Sequence, residues 1–463
     1  MTPRFRRAGA RLVLIGIAAT GGAARAAAQN QPPGLTLAQP EAPSGPPVVL
    51  TLHDALERAR QLDVQVQSAA TDADVAKGDS VQAKSGLLPT FSYSLQYLGN
   101  QANGVNPNGR FVSLDGVNMY RSWAMMRQEL SANTFTSSPL RRARAMEASA
   151  QARLEVAQRG LAVTVTRSYY ALVVAERKYA TAQQAAQQSA RFLEIAQQQE
   201  RLGQVARYDV VKAAVQDGQQ QQNYREAFVA MDNARLSLAV LLFPTFSENF
   251  TVVDDLHTAP PLPSFVDARN MASRDNPELR AANETLNAAS HDVRSAKNAF
   301  YPTLLIDAVY GIEANEFALH SPIAAQPELG VLPNLGYFVT ANLTVPIWDW
   351  GGLRSKVRQS ESREQLARVT LSQTQRQLLS NLYALYNQAV VARAAVDNLQ
   401  RVADMAAEGL RLTNLRYQAG ESTALEVVDA QNTLVQARNA ADDAVARYRV
   451  ALADLQTLTG SFE

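Results

Sequence analysis

The sequence predicts a mainly α-helical, internally duplicated protein in which long coiled-coil helices carry two pairs of membrane-type strands. Three observations lead there. In residues 353–419 the positions Leu378, Leu382, Leu385, Ala389, Ala392, Val396, Leu399, Ala403, Ala406, Leu410, Thr413 and Tyr417 step alternately by four and three. That average of about 3.5 marks the seam of a left-handed coiled coil. An order of short helix, strand, loop, strand and long helix occurs twice along the chain. The strands alternate apolar and polar residues over about ten positions, the length of a tilted bilayer-spanning strand.

The long stretch sets the dimensions. No proline interrupts it, and its glycines lie at the ends (Gly351, Gly352 and Gly420) apart from Gly409. At about 1.5 Å per residue it is roughly 100 Å long. Such a rod cannot fold on itself and needs helices of matching length beside it.

At the start of the chain, Arg4, Arg6 and Arg7 precede an apolar run over residues 12–19, and Ala26, Ala27 and Ala28 precede Gln29. A basic start, a short apolar core and an A-x-A end predict a secretory signal over residues 1–28. No later run reaches the ~18 apolar residues of a transmembrane helix. Cysteine is absent, so neither a disulfide nor a lipidated cysteine is available, and membrane attachment must come from the fold. The net charge is +1, with Lys and Arg scattered, which argues against a nucleic-acid partner.

Residues 29–50 form a Pro-rich lead-in. A helix is expected over 51–86, with Leu52, Ala55, Leu56, Ala59, Leu62 and Val66 at helical spacing and Pro89 beyond its end. Phe91, Tyr93, Leu95 and Tyr97 then alternate with Ser92, Ser94 and Gln96, which is a strand with two unlike faces. Residues 99–118 are a polar loop rich in Asn and Gly, and a less regular strand is expected over 119–132. A long helix follows from 140 to about 201, and a short one over 207–242. Residues 244–263 are a Pro-rich linker.

The same order then recurs. At an offset of 213, Ala55 matches Ala268, Pro89 and Thr90 match Pro302 and Thr303, Tyr97 matches Tyr310, and Leu140 and Arg141 match Leu353 and Arg354. Inside the long helix the offset becomes 217, where Tyr169 matches Tyr386, Gly203 matches Gly420, and Val210 and Val211 match Val427 and Val428. A jump of four residues is about one turn, so both copies keep the same inward face. The copies span 51–243 and 264–460, with 461–463 as the C-terminal end. The short helices, 51–86, 207–242, 264–300 and 423–458, are each about 36 residues, so two of them end to end match one long helix in length and can flank it.

In the second copy Leu304, Ile306, Ala308, Tyr310 and Ile312 make one strand face, and Tyr337, Val339, Ala341, Leu343 and Val345 another. Four strands cannot close a barrel, and an open sheet edge is not tolerated in lipid. Identical neighbours must complete it: two copies give eight strands and three give twelve. Val345, Pro346, Ile347, Trp348, Asp349, Trp350, Gly351 and Gly352 join the last strand to the long helix. Pro346 ends the pairing, and Trp348 and Trp350 suit a bilayer interface.

The chain resembles the TolC-type outer-membrane efflux protein family over essentially all of the mature sequence. The resemblance rests on the two-copy layout, on the Gly86-Leu87-Leu88-Pro89-Thr90 and Ala299-Phe300-Tyr301-Pro302-Thr303 segments, and on the Val345–Gly352 junction. Its most specific part is the run from Arg416, Tyr417, Gln418, Ala419 and Gly420 to Asp429, Ala430 and Gln431, which is similar to the family's second periplasmic hairpin tip. The family implies a homotrimer with a twelve-stranded barrel in outer-membrane lipid and a helical tunnel through the periplasm. It also implies docking on an inner-membrane pump through a periplasmic adaptor, with the duct gated at the helical tips. A periplasm-spanning structural coiled coil and a passive porin are the competing readings.

No cofactor or metal is expected. His53, His257, His291 and His320 are isolated, and no phosphate loop or nucleophile elbow is present, so the chain does not read as an enzyme. By resemblance, Tyr417, Glu426 and Asp429 match positions that close the periplasmic end, and Asp209 matches the acidic partner in the first hairpin. Threefold symmetry would turn one carboxylate into a ring of three that attracts cations, and a Tyr417 hydroxyl bonded to Asp209 would hold two hairpins together. Ser422 stands where a family representative has arginine, so that part of the lock is missing, with Arg207 as a candidate substitute. The tips themselves, Gly203, Gln204, Val205 and Ala206 with Gly420, Glu421, Ser422 and Thr423, are the expected adaptor contacts.

Overall fold

A computed structural model describes residues 47–99, 118–244, 249–257, 260–314, 317–320 and 334–460. The signal segment 1–28, the lead-in up to residue 46, the loop 100–117 and the terminal 461–463 lie outside the described residues. The first half comprises β1 (Val48–Leu50), α1 (Leu52–Leu62), α2 (Val64–Ser85), β2 (Thr90–Gly99), β3 (Asn118–Leu130), α3 (Ala132–Thr136), α4 (Ser138–Arg201) and α5 (Arg207–Leu242). The second comprises β4 (Phe250–Val252), α6 (Phe265–Asp275), α7 (Pro277–Asn298), β5 (Thr303–Ala314), β6 (Leu335–Thr344), α8 (Gly352–Gln418) and α9 (Ala424–Thr459). Among the described residues, no helix is long and apolar enough to cross a membrane.

The helices form one layer of staves. In the half nearer the strands the neighbours run α2, α4, α7, α8; in the far half they run α5, α4, α9, α8. Each long helix thus serves both halves while the short helices change partners. The heptad pattern of α8 is visible in its burial: Leu382, Ala389, Val396, Ala403, Leu410 and Tyr417 are buried at intervals of seven. The intervening Leu385, Ala392, Leu399, Ala406 and Thr413 are only half covered, because a stave at the edge of a layer has a partner on one side.

Strands β2, β3, β5 and β6 make one antiparallel sheet in that order, leaving β2 and β6 as its edges. Its register places Tyr93, Ala124, Tyr310 and Tyr337 in one row and Phe91, Met126, Ala308 and Val339 in the next row on the same face. The opposite face carries Arg127 directly across from Asp307, bonded at 2.7 Å, and Arg121 across from Glu313, bonded at 2.8 Å. Charged pairs belong inside a barrel and aromatic rows on lipid, so the two faces assign themselves.

Two expected continuous helices are in fact broken. Residues 51–86 split at Asp63 and residues 264–300 split at Asn276, with nearly the same backbone angles (φ −70°, ψ 123° and φ −70°, ψ 122°). Each break starts a new helix by capping: Asp63 Oδ1 accepts from the Val66 amide at 2.8 Å, and Asn276 Oδ1 from the Leu279 amide at 2.9 Å. Pro277 excludes α-geometry at Asn276 and then opens α7 as its first residue. The second strand likewise ends at Leu130 instead of reaching 132, because Ser131 caps the short α3, and α4 begins at Ser138, two residues early. Ser137 (φ 51°) and Trp350 (φ 55°), 213 apart, turn the chain into the two long helices in the left-handed region.

The lead-in and the linker meet. β1 and β4 pair in parallel, Val48 opposite Phe250 and Leu50 opposite Val252. This pair and residues 253–257 are pinned across the middle of the staves. Tyr169 donates to the Val253 carbonyl at 2.7 Å and accepts from the Val253 amide at 3.0 Å, and burial pushes its pKa up to about 12. Arg177 bridges Asp254 (2.6 Å) and Asp442 (2.9 Å), tying the linker to α9. Partial burial works against the Asp254 carboxylate, but the bonds from Arg177 and the Leu256 amide hold its pKa below the ordinary 3.8. A depressed carboxylate contributes stability above the unfolded value and loses it as pH falls through the folded one. Hydrogen exchange at residues 249–257 is therefore expected to be slow at neutral pH and to gain in opening only below pH 3.8, whereas Arg177→Met should open the segment at pH 7; equal protection in that variant would refute the clasp.

Candidate functional site

The two hairpin tips are built alike. α4 ends with Gly203 (φ 76°) and α8 with Gly420 (φ 76°), both left-handed, where a Cβ would be strained. The Gln204 amide reaches the Gln199 carbonyl at 2.9 Å and the Gly203 amide the Glu200 carbonyl at 2.9 Å; Glu421 and Gly420 repeat this with Arg416 (2.8 Å) and Tyr417 (3.0 Å). These paired bonds are Schellman closures. Across each turn an acid starts the next helix. Asp209 accepts from the Ala206 amide at 3.3 Å, and Glu426 from the Thr423 amide at 3.3 Å, with the Thr423 hydroxyl returning to the Glu426 amide.

Asp209 and Glu426 are therefore equivalent positions at an offset of 217, and both carboxylates belong to their own helix starts. That corrects the expected Tyr417–Asp209 bond within the protomer. The Tyr417 hydroxyl donates instead to Gln199 Oε1 at 2.9 Å. Its ring is 8% exposed and stands 5.2 Å from Phe192, in a cluster with Ala196, Val210, Ala213, Ala424, Val427 and Val428. Burial raises its pKa, and the Asp209 charge adds to the effect, so the phenol stays neutral and remains a donor. Tyr417 thus contacts the first hairpin through Gln199 and not through Asp209.

The remaining predicted residues divide. Ser422 reaches the Thr413 carbonyl at 3.4 Å. Arg207 does not replace a missing arginine there, since it binds Glu200 in its own hairpin at 3.3 Å. Arg416 stands 3.7 Å from Glu426 and donates to the Glu421 carbonyl at 3.2 Å. Asp429 is exposed, and its carboxylate has no partner among the described residues. Gln204, Val205, Ala206, Glu421 and Thr423 lie at the exposed turns or on their borders. Above the tip the interior becomes polar: Asn432 Oδ1 accepts from Gln216 at 2.9 Å and from Gln220 at 3.0 Å. Gln199 and this amide layer were missed in the sequence, although Gln216, Gln220 and Asn432 occupy inward helical positions where an apolar residue would be ordinary.

At the other end Trp348 and Trp350 are 75% and 89% exposed and pack edge to face at 5.7 Å. They stand beside the end of β6, where an apolar strand face gives way to helix, as interface anchors would.

A fold of this kind, with an apolar strand face, charged pairs on the other and a stalk of paired hairpins, defines an outer-membrane channel. Residues 268–461 match the family model "Outer membrane efflux protein". The cobalt-zinc-cadmium resistance protein CzcC of Cupriavidus metallidurans is 25% identical over 86% of both chains. Outer membrane protein TolC of Escherichia coli is 23% identical over 89% of this chain and 82% of its own. Among solved structures, the outer membrane protein VceC of Vibrio cholerae superposes with a TM-score of 0.72 at 17% identity, covering 88% of this chain and 96% of that one. These likenesses support an outer-membrane factor of the TolC type. The chain is an exit duct of the outer membrane, and its relatives are outer-membrane components of efflux and secretion systems, channel proteins by name.

Loss of the Tyr417–Gln199 bond removes about 1 kcal/mol, roughly a five-fold shift between closed and open tips. Tyr417→Phe is expected to raise the open fraction in planar-bilayer recordings by that factor, whereas Asp209→Asn, which keeps a cap acceptor, leaves it near wild type. Equal recordings for Tyr417→Phe and wild type would remove the tyrosine from the gate.

Proposed function

We propose that three copies of the chain close into one duct, with a twelve-stranded barrel in the outer membrane above a helical cylinder in the periplasm. Residues 51–243 and 264–460 are the two structural copies in each protomer, joined through 244–263. The observation that carries this reading is that both kinds of edge fall on the same sides of the protomer: β2 continues into α2, and β6 into α8. One side of each copy therefore meets the opposite side of the next in both barrel and stalk, a heterologous contact that closes into a ring. Unpaired strand edges in lipid cost several kcal/mol per group, which makes closure obligatory.

In this assembly the periplasmic end is the gate. Tyr417 with Gln199 holds each pair of hairpins, Asp209 and Glu426 fix the helix starts, and Asp429 contributes one carboxylate per copy to a ring of three. A periplasmic adaptor docks on the turns at residues 203–206 and 420–423 and links the duct to an inner-membrane pump. Trp348 and Trp350 anchor the barrel at the periplasmic leaflet.

Native mass spectrometry of the purified protein is expected to give three copies per particle; a monomer or a dimer would overturn the closure. In cells, a cysteine at Val205 should form a disulfide or short crosslink with an adaptor, and a cysteine at the mid-stalk position Gln388 should not. Equal yields at both positions would move the docking site away from the tips.

A further inference from the structure

Away from the tips, a cleft of about 900 Å³ lies between α4, α8 and α9 at mid-stalk. Its floor is apolar, made by Ala171, Val174, Val391, Ala392, Ala395 and Val450. Its charged groups are Arg167, Arg447, Asp443 and Asp454. Asp443 is paired with Lys178 at 2.7 Å, and Asp454 stands 3.8 Å from Arg167. Arg447 is exposed and has no partner among the described residues. The cleft therefore offers a greasy floor with one surplus cation on its rim.

The face it occupies follows from the clasp. Tyr386 donates to the Pro263 carbonyl at 3.2 Å and Tyr448 to that of Pro260 at 2.6 Å, and Arg393 lies over the Tyr448 ring. These residues mark the side that bears the linker. On α8, Val391 and Ala395, and on α9, Ala446 and Val450, lie about half a helical turn from them, since each residue advances about 100°. A layer added inside a closed cylinder would fill the duct, so the linker side is the outside and the cleft faces the lumen. The same face continues toward the barrel. Arg153 and Leu366 line a second cleft of about 540 Å³. They lie 14 residues before Arg167 and 21 before Asn387, whole heptads that keep one face of a supercoiled helix. Arg153 and Arg363 there are also exposed and without a partner among the described residues, against one such carboxylate, Glu278, so this cleft too carries one surplus cation.

We infer that the mid-stalk cleft is a luminal way-station for amphipathic organic anions, holding the apolar body on the valine and alanine floor and the carboxylate or sulfonate on Arg447. Volume and lining suit a drug-sized ligand, and guanidinium matches a carboxylate with two parallel bonds. A luminal site in a conduit must be weak and shared along a strip, so that the cargo leaves as readily as it enters; the repeated arginines of the second cleft supply the next step. This inference rests on the closed-duct reading above.

The test uses the full-length protein in amphipol, so that no detergent competes, with 4-benzoylbenzoate as an anionic photoprobe and a benzophenone-bearing quaternary ammonium as its cationic counterpart. Peptide mapping by mass spectrometry is expected to place anionic adducts on residues 167–174, 387–395 and 443–454. Arg447→Glu should cut that labelling about ten-fold and raise cationic labelling at the same peptides. Ala395→Trp, which fills the floor, should abolish both while leaving the native mass unchanged. Undiminished anionic labelling in Arg447→Glu, no adduct in the wild type, or adducts confined to the linker side around Tyr386 and Tyr448 would each overturn the site. Planar-bilayer conductance of the same wild-type preparation separates the two readings: conducting channels without adducts reject the cleft alone, and a preparation without channels rejects the duct and the cleft together.

Discussion

A layer one helix thick has no interior of its own, and most of this protein's design answers that constraint. Every stave buries one stripe against each neighbour, so the first and last staves remain half bare, and the seam of α8 records it residue by residue. The same deficit appears in the sheet, whose two outer strands are paired on one side only among the described residues. In water a bare seam costs hydrophobic free energy in proportion to its area; in lipid a bare strand edge costs far more per group. In the proposed closed duct the barrel therefore imposes assembly, and the stalk profits from it.

Duplication lets one set of local solutions serve twice. The left-handed corners at Ser137 and Trp350, the capped breaks at Asp63 and Asn276, and the glycine closures at Gly203 and Gly420 each occur at the offset of their copy. The matched angles hold even where the residues differ: Trp350 and Ser137 are unlike in every chemical respect, yet take the same backbone turn. Strain of order 1–2 kcal/mol in a bulky residue there is carried because the corner aims a hundred-ångström helix, and a small error in that angle would be magnified along its length.

How much of this was legible depended on range. Heptads, alternating strands and the repeat are local patterns, and they led directly to the long helices, the unlike sheet faces and the tips. The breaks at Asp63 and Asn276 were hidden because apolar spacing continues through them, although the Asn276–Pro277 pair is itself a helix-start signal. The pairing of β1 with β4 joins residues some two hundred apart with three residues a side, too short to show alternation. At the tip, the hydroxyl of Tyr417 was expected on Asp209 and is found on Gln199. Gln199 sits in the opposite hairpin, and an uncharged amide in a glutamine-rich helix carries no pattern that sets it apart from its neighbours.

The capping duty of Asp209 and Glu426 has a consequence for how such an aperture can change its preferences. An acid that starts a helix is tied to that duty, since exchanging it for a base removes a cap and places a like charge on the positive end of the helix dipole. Asp429 alone among the three is at liberty. In the proposed three-copy duct, ion preference at the mouth can thus drift through a single position per copy, multiplied by symmetry, while the architecture of the tips stays fixed.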